Sequence, residues 1–288
     1  MDETEPQGRF RLVALDIDGT VLNSAGEVCA ALKRTLAALA RRSVRTVLCT
    51  GRRMRSAVPV LAELEHVHPI LVCSGGALVK RVDDEETLYT DPLGDALAQR
   101  AAEVYRRAGL MPIVLYDHPL SGRELWVAAA DRRKAEGLAY VQLNRDAVEY
   151  FEGDWPEGLE APLEVYTVDR TERVEAARDR VRRDLEGSAI VEAMFQPRYG
   201  ELALEVRSPT ATKWAALQYL LDRWGIPPAQ VVAVGDDVND LPMLEAAGLS
   251  FAMGNALPEV KETADEVTAT NDEEGVARAL ALAFPGGQ

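Results

Sequence analysis

Cysteine is scarce in this chain. Cys29, Cys49 and Cys73 are an odd number with no C-x-x-C spacing, which argues against a disulfide framework or a zinc site and fits a reducing cytoplasm. Long apolar runs are missing as well. No stretch approaches the ~20 residues needed to span a bilayer. The opening Met1-Asp2-Glu3-Thr4-Glu5-Pro6-Gln7-Gly8 is acidic and polar, unlike a signal peptide, and reads as a short disordered lead-in. Basic residues are in deficit, 32 Lys and Arg against 47 Asp and Glu for a formal net charge of -15. That balance argues against a general nucleic-acid or membrane-surface binder. It leaves an anionic small molecule open as a partner, because a bound cation and a few basic side chains can invert the sign of the field inside one cleft.

The 288 residues are 47% hydrophobic, ample for a packed core, and their length suggests two domains. Arg11 to Leu15 is an apolar strand that runs straight into Asp16-Ile17-Asp18-Gly19-Thr20. Were the strand to continue, Asp16 and Asp18 would share a face, while Gly19 lets the backbone turn away. Two carboxylates brought together need a cation or a proton between them, and they suggest a carboxylate nucleophile with a general acid/base. D-x-D alone is common, and an Asp at a strand end is often only a turn former.

Downstream, the pattern alternates. Helical spacing over Val28 to Arg42 precedes the strand Val44 to Cys49, which runs into Thr50-Gly51-Arg52-Arg53 and a helix to about Glu65. Pro69 to Cys73 is a third strand, turned by Ser74-Gly75-Gly76 into a hairpin. From Asp91 to about Val206 the character changes to α+β, with helices at Leu93 to Gly109 and Thr171 to Glu186 among six strands. Alternation resumes with a helix at Thr210 to Trp224 and the buried-type strand Val231 to Val234, ending in Gly235-Asp236-Asp237-Val238-Asn239-Asp240. A parallel sheet covered by helices on both faces is predicted, with an inserted α+β module.

In such a sheet, ligands bind beyond the carboxyl ends of the strands, so Asp16, Asp18, Thr50 and Asp236 can meet in one crevice with Lys213. Phosphoryl transfer asks for that set. Asp16 and Asp236 suit Mg²⁺, Lys213 offsets phosphate charge, Thr50 and the Gly51 N–H donate to phosphate oxygens, and Asp18 moves the proton. Each residue also has a structural reading. Thr50 can cap the following helix, and Lys213 taken alone reads more often as a solvated lysine. Asn239 and Asp240 can simply start a helix, Arg52 and Arg53 read as surface residues, and His66 and His68 as loop residues.

Taken in order, Asp16-Ile17-Asp18-Gly19-Thr20, Thr50-Gly51-Arg52, Lys213 and Gly235-Asp236-Asp237-Val238-Asn239-Asp240 resemble the four motifs of the haloacid dehalogenase superfamily of phosphatases. Asn239 to Leu244, Ala252-Met253-Gly254-Asn255-Ala256 and Asn271 to Val276 resemble its Cof-type branch. The resemblance implies a Rossmann-like core of residues 1–90 and 206–288 and an α+β cap of residues 91–205 that selects substrate. It implies Asp16 as the nucleophile that forms an aspartyl-phosphate and Asp18 as general acid/base. Mg²⁺ would be held by Asp16, the backbone carbonyl of Asp18, and Asp236. Thr50, Gly51, Lys213 and Asn239 would contact phosphate, with Asp237 and Asp240 behind the metal ligands. The chain departs from the branch where Trp214 follows Lys213 in place of Gly, where Ser208 to Thr212 lacks Gly, and where Ser74-Gly75-Gly76-Ala77 replaces Asn-Gly-Ala.

The expected activity is hydrolysis of small phosphate esters, sugar or polyol phosphates foremost. A dedicated mannosyl-3-phosphoglycerate or sucrose-phosphate phosphatase is the alternative within that class. A phospho-accepting or metabolite-binding regulator without turnover is the alternative outside it, and it has no use for an acid/base at Asp18. Within the cap, the polar tip Tyr116-Asp117-His118-Pro119-Leu120-Ser121-Gly122-Arg123 either reads the substrate or is a solvated turn.

Overall fold

Four apolar residues with no exposed surface, Leu12–Leu15, form β1, and both of its edges are paired. A strand buried on both faces has no polar alternation to keep, which is why the run reads as continuous hydrophobics. The computed structural model describes residues 8–117, 122–196 and 200–286, and the chain divides into one unit of Met1–Tyr89 with Thr212–Gln288 and another of Thr90–Ala211. From β1 the chain passes through a turn into α1 (Ala30–Arg41), whose buried Leu32, Leu36 and Leu39 recur at helical spacing and whose first turn is capped by Cys29 Sγ accepting from Leu32 N–H. There follow β2 (Arg45–Cys49), α2 (Met54–Ala62), β3 (Ile70–Cys73), β4 (Leu78–Arg81) and β5 (Thr87–Thr90).

The inserted unit carries α3 (Asp95–Arg107), β6 (Ile113–Leu115), β7 (Leu125–Ala128), α4 (Arg132–Ala135), α5 (Ala139–Leu143), β8 (Val148–Phe151), β9 (Glu164–Asp169), α6 (Thr171–Leu185), β10 (Ile190–Gln196) and β11 (Glu201–Arg207). Its sheet has the order β10-β11-β9-β6-β7-β8 and is antiparallel except for the parallel pair β7 and β8. Helices α3 and α6 bury Val104, Tyr105, Val174 and Val181 in one cluster with Val165 and Leu204, and Tyr105 Oη donates to the Leu204 carbonyl at 2.6 Å. The short helices α4 and α5 have no counterpart in the sequence pattern, being too brief to show a period. The N-terminus of α5 is satisfied from afar: the Glu201 carboxylate accepts from Ala139 N–H at 3.0 Å and Tyr140 N–H at 3.2 Å. Of the polar tip, His118 to Ser121 lie outside the described residues, and Arg123 is ion-paired with Glu149.

Back in the first unit come α7 (Lys213–Trp224), β12 (Val231–Gly235), α8 (Leu241–Ala246), β13 (Leu249–Ala252), α9 (Pro258–Thr263), β14 (Glu266–Val267) and α10 (Gly275–Ala283). Helix α7 starts at Lys213, with Thr212 Oγ1 accepting from Ala215 N–H at 3.0 Å, and stops at Gly225 in the left-handed conformation. The sheet order is β14-β13-β12-β1-β2-β3-β4-β5, parallel from β14 to β3 and antiparallel from β3 to β4. This is the expected α/β fold with a parallel core sheet and a second, mixed sheet. The chain builds outward from β1 through β2 and then returns to its other side with β12, so strand order reverses between β1 and β12. At that switch point Leu15 lies level with Val234 and Leu48, and the segments after β1, β2 and β12 leave the sheet together. Among the described residues no helix is long and apolar enough to cross a membrane.

Candidate active site

Strand β1 ends at Leu15, and Asp16, still extended, donates its N–H to the Val234 carbonyl at 3.1 Å. Its buried carboxylate accepts from Lys213 Nζ at 2.7 Å, and the same ammonium donates to Asp240 Oδ1 at 2.6 Å. Lys213 is 1% exposed and Asp240 0%, so both carboxylates are held by one cation out of water. Burial alone would lower the lysine's pKa, but Asp16 and Asp240 outweigh it and hold the amine above its ordinary value.

The turn after Gly235 completes the cluster. Asp240 Oδ2 accepts from the N–H groups of Asp236 at 3.0 Å and Asp237 at 3.2 Å, while the Asp237 carboxylate accepts from Val238 N–H at 2.7 Å. Asp240 thus braces the turn, and Gly235 is required there because a Cβ would stand 2.5 Å from Asp240 Cγ. Asp236 Oδ1 accepts from Thr20 Oγ1 at 2.9 Å. Gly19, at φ +75°, passes so close that a Cβ would meet Asp236 Oδ2 at 2.2 Å.

Oxygens of Asp16, Asp236 and Asp240 lie within 4.8 Å of one another. Burial first, and then repulsion from Asp240, pushes Asp236 up to about 7; burial together with the neighbouring acids holds Asp16 well above the usual carboxylate range. Fully ionised, the three carboxylates would outnumber the one ammonium by two negative charges, the imbalance that their raised pKa values reflect. An all-oxygen donor set with that excess fits a hard divalent cation, and Asp16 and Asp236 are the two acids with oxygen capacity to give it, since Asp240 is already shared among three protein donors.

The sequence matches the haloacid dehalogenase-like hydrolase family over residues 13–280, nearly the whole chain. The chain belongs to that family. It is 30% identical to phosphatase YwpJ of Bacillus subtilis, covering 94% of this chain and 99% of that protein. It is 29% identical to the 5-amino-6-(5-phospho-D-ribitylamino)uracil phosphatase YitU of the same organism, covering 96% and 97%. A solved haloacid dehalogenase-like hydrolase from Bacteroides thetaiotaomicron superposes with TM-score 0.75 at 28% identity, over 96% of this chain and all of that one. The class of enzyme is phosphatase.

Against the haloacid dehalogenase motifs, the geometry treats the candidate residues unequally. Asp16, Lys213, Asp236 and Asp240 are brought into one cluster although Asp16 and Lys213 are 197 residues apart. Asp18 comes after the strand has ended, and its charge still bears on Asp16, helping to raise the pKa of that carboxyl. The Asp18 carboxylate lies in a two-pronged pair with Arg52, Nε to Oδ2 at 2.7 Å and the other prong at 2.6 Å. Thr50 is fully buried and is not a helix cap: α2 begins at Met54 behind Arg53, and Thr50 Oγ1 accepts from Arg52 N–H at 3.1 Å, leaving its own proton to donate. The Gly51 N–H has no protein acceptor among the described residues, and Asn239 Oδ1 is buried without a partner. Such orphaned polar groups suit a ligand.

Arg52 and Arg53 are not the surface residues their composition suggested: Arg52 holds Asp18, and Arg53 is buried. The departure at Ser74-Gly75-Gly76 also has a structural use. Gly76, at φ +102°, lets this turn approach α7 so closely that a Cβ would meet the Thr212 carbonyl oxygen at 2.0 Å, directly before Lys213. Thr20 and Asn255 were not singled out as site residues, although both lie inside quoted motifs. Asn255 Nδ2 donates to the Gly19 carbonyl at 2.8 Å.

Proposed function

We propose that this protein hydrolyses small phosphorylated metabolites, polyol or sugar phosphates foremost, in two half-reactions through an aspartyl-phosphate on Asp16, with Mg²⁺ held by Asp16, the Asp18 carbonyl and Asp236. The observation that carries the reading is the buried cluster of Asp16, Asp236 and Asp240 around Lys213 at the switch point, which when ionised is two positive charges short of neutral. Mg²⁺, when bound, supplies charge stabilisation on the phosphoryl oxygens. Lys213 occupies Asp16 Oδ1, which leaves Oδ2 as the attacking atom. In the first half-reaction Asp16 Oδ2 bonds to phosphorus, the ester P–O bond breaks, and the departing alkoxide takes a proton from Asp18. In the second, Asp18 takes a proton from water, the water oxygen bonds to phosphorus, and the acyl-phosphate P–O bond breaks to return the Asp16 carboxylate with inorganic phosphate. Thr50 O–H, Gly51 N–H, Lys213 and Asn239 stabilise the equatorial oxygens, while Asp237 and Asp240 hold the turn that presents Asp236.

Catalysis is assigned to residues 1–90 and 206–288 and substrate selection to residues 91–205. The name of YitU specifies a phosphate on a ribityl chain, which supports a polyol phosphate over a dedicated disaccharide-phosphate role. A reducing cytoplasm agrees with Cys29, Cys49 and Cys73 all being free thiols. The test is phosphate release from a panel of sugar, polyol and nucleotide monophosphates with Mg²⁺, with excess chelator, and with Asp16→Asn. Turnover of at least one polyol or sugar phosphate that is abolished by chelator and by Asp16→Asn is expected. Undiminished turnover in either condition refutes the assignment.

A further inference from the structure

The segment that follows β13 reaches back over the catalytic turn by side-chain hydrogen bonds that the reaction scheme leaves unused. Asn255 spends both ends of its amide: Nδ2 donates to the Gly19 carbonyl at 2.8 Å and faces Asp236 Oδ2 at 3.5 Å, while Oδ1 accepts from Asn271 N–H at 2.9 Å. Asn271 Nδ2 then donates to the Leu22 carbonyl at 2.9 Å, and the Asp272 carboxylate accepts from Ser24 N–H at 2.8 Å and Ser24 Oγ at 2.7 Å. Residues 255, 271 and 272 thereby hold the backbone at 19, 22 and 24. The clasp itself is tightly seated. Gly254 N–H donates to the Ala269 carbonyl at 2.9 Å, and a Cβ on Gly254 would stand 2.8 Å from Thr270 N.

The turn held this way carries both acids of the D-x-D pair and ends in Thr20, which binds Asp236. Gly19 in the left-handed conformation has little to fix it from within, since glycine has the broadest backbone freedom of any residue. Asn255 supplies the missing constraint from outside. Besides Thr20, its amide nitrogen is the one side-chain donor within hydrogen-bond distance of the Asp236 carboxylate among the described residues, the Lys213 ammonium acting on it from farther off.

We propose that Asn255 is a positioning residue for the divalent cation: it fixes the Gly19 peptide and the Asp236 carboxylate in the relation that cation binding requires, and the clasp through Asn271 and Asp272 holds it in place. This rests on the reading of Asp16 and Asp236 as cation ligands. Residues that orient ligands from behind typically change metal affinity by about ten- to a hundredfold. The isosteric Asn255→Asp replaces the donor by an acceptor beside the Gly19 carbonyl and Asp236 and is the sharper probe. Asn255 is an exposed residue, so Asn255→Ala, which leaves room for water, guards against a failure of the first variant to fold.

Binding of Mn²⁺ to the full chain is measured directly, by the loss of the free-ion paramagnetic resonance signal, with melting temperature followed in parallel. The expected result is that wild type binds Mn²⁺, and that Asn255→Asp weakens it by about tenfold or more and Asn255→Ala by less. Turnover at saturating metal should fall by a smaller factor than affinity does. Folded variants that bind Mn²⁺ as tightly as wild type, whatever their melting temperature, overturn the role of Asn255. Failure of wild type to bind Mn²⁺ at all overturns the cation site itself, and the role proposed for Asn255 with it.

Discussion

Replacing Lys213 by methionine removes the ammonium while keeping most of the aliphatic stem. Nζ stands 2.7 Å from Asp16 Oδ1 and 2.6 Å from Asp240 Oδ1, and none of the three residues is more than 5% exposed. Deleting one partner of a buried ion pair costs about 3–5 kcal/mol. Because one ammonium serves two carboxylates here, the upper part of that range is expected near pH 8. The dependence on pH has a definite sign. Asp16 already sits well above the usual carboxylate range, through burial first and its acidic neighbours next, and removing Lys213 raises it further. A carboxyl with a raised folded pKa binds more protons in the folded chain than in the unfolded one, so stability is lost as pH rises from the unfolded value of about 4 toward the folded one. The Lys213 contribution in wild type, by contrast, is fully present below its unfolded pKa of about 10.4 and is lost only as pH rises through the raised folded pKa, so it is constant across the neutral range. Urea unfolding of wild type and Lys213→Met, followed by circular dichroism at about pH 5.5 and pH 8, reads the difference. The loss should be smaller at the lower pH. A loss under about 1 kcal/mol at pH 8 refutes the assignment of Lys213 as the buried counter-charge.

Gly76→Ala should destabilise the chain by about 3 kcal/mol and depress turnover, since a Cβ at φ +102° would strike the Thr212 carbonyl ahead of Lys213; the urea midpoint and kcat check both. Arg52→Met should leave the melting temperature within a few degrees, because Asp18 is largely exposed and such pairs contribute little, yet lower kcat by about tenfold as Asp18 loses its fixed orientation; equal kcat would remove Arg52 from the site. Glu205, buried in the inserted unit, is pushed up to about 7, chiefly by desolvation, so the wild-type chain loses stability as pH rises from about 4.5 to about 7. Glu205→Gln should flatten that slope and gain up to about 3 kcal/mol relative to wild type at pH 8 over pH 5, read from unfolding midpoints at the two values.

Much of the fold was readable because its signals are local. Leu12–Leu15 and Val231–Gly235 are uninterrupted apolar runs ended by acids, and Leu32, Leu36 and Leu39 keep a helical period, so the alternation of a parallel α/β sheet is written in neighbouring residues. The acids at strand ends were equally visible, since the carboxyl edge of such a sheet is where ligands sit. Helices α4 and α5 were not, because four and five residues are too few to show a period and α5 takes its N-terminal acceptors from Glu201, 62 residues away from Ala139.

What the sequence by itself determined is the family, the fold class and the residue types the chemistry needs: strand, turn and acid follow one another along the chain, and the motifs are contiguous. Tertiary structure alone decided which partners those residues have. Lys213 is a solvated lysine by composition and a fully buried counter-ion in fact, because Gly76 lets the Ser74 turn pack against the start of α7 and the strand order delivers Asp16 and Asp240 to the same ammonium. Asp18 is oriented by Arg52, a partner 34 residues along the chain that no local pattern pairs with it. Asn255 touches Gly19 across 236 residues of chain. No local pattern carries such a contact, since its energy depends on distances that exist only once the sheet has closed up.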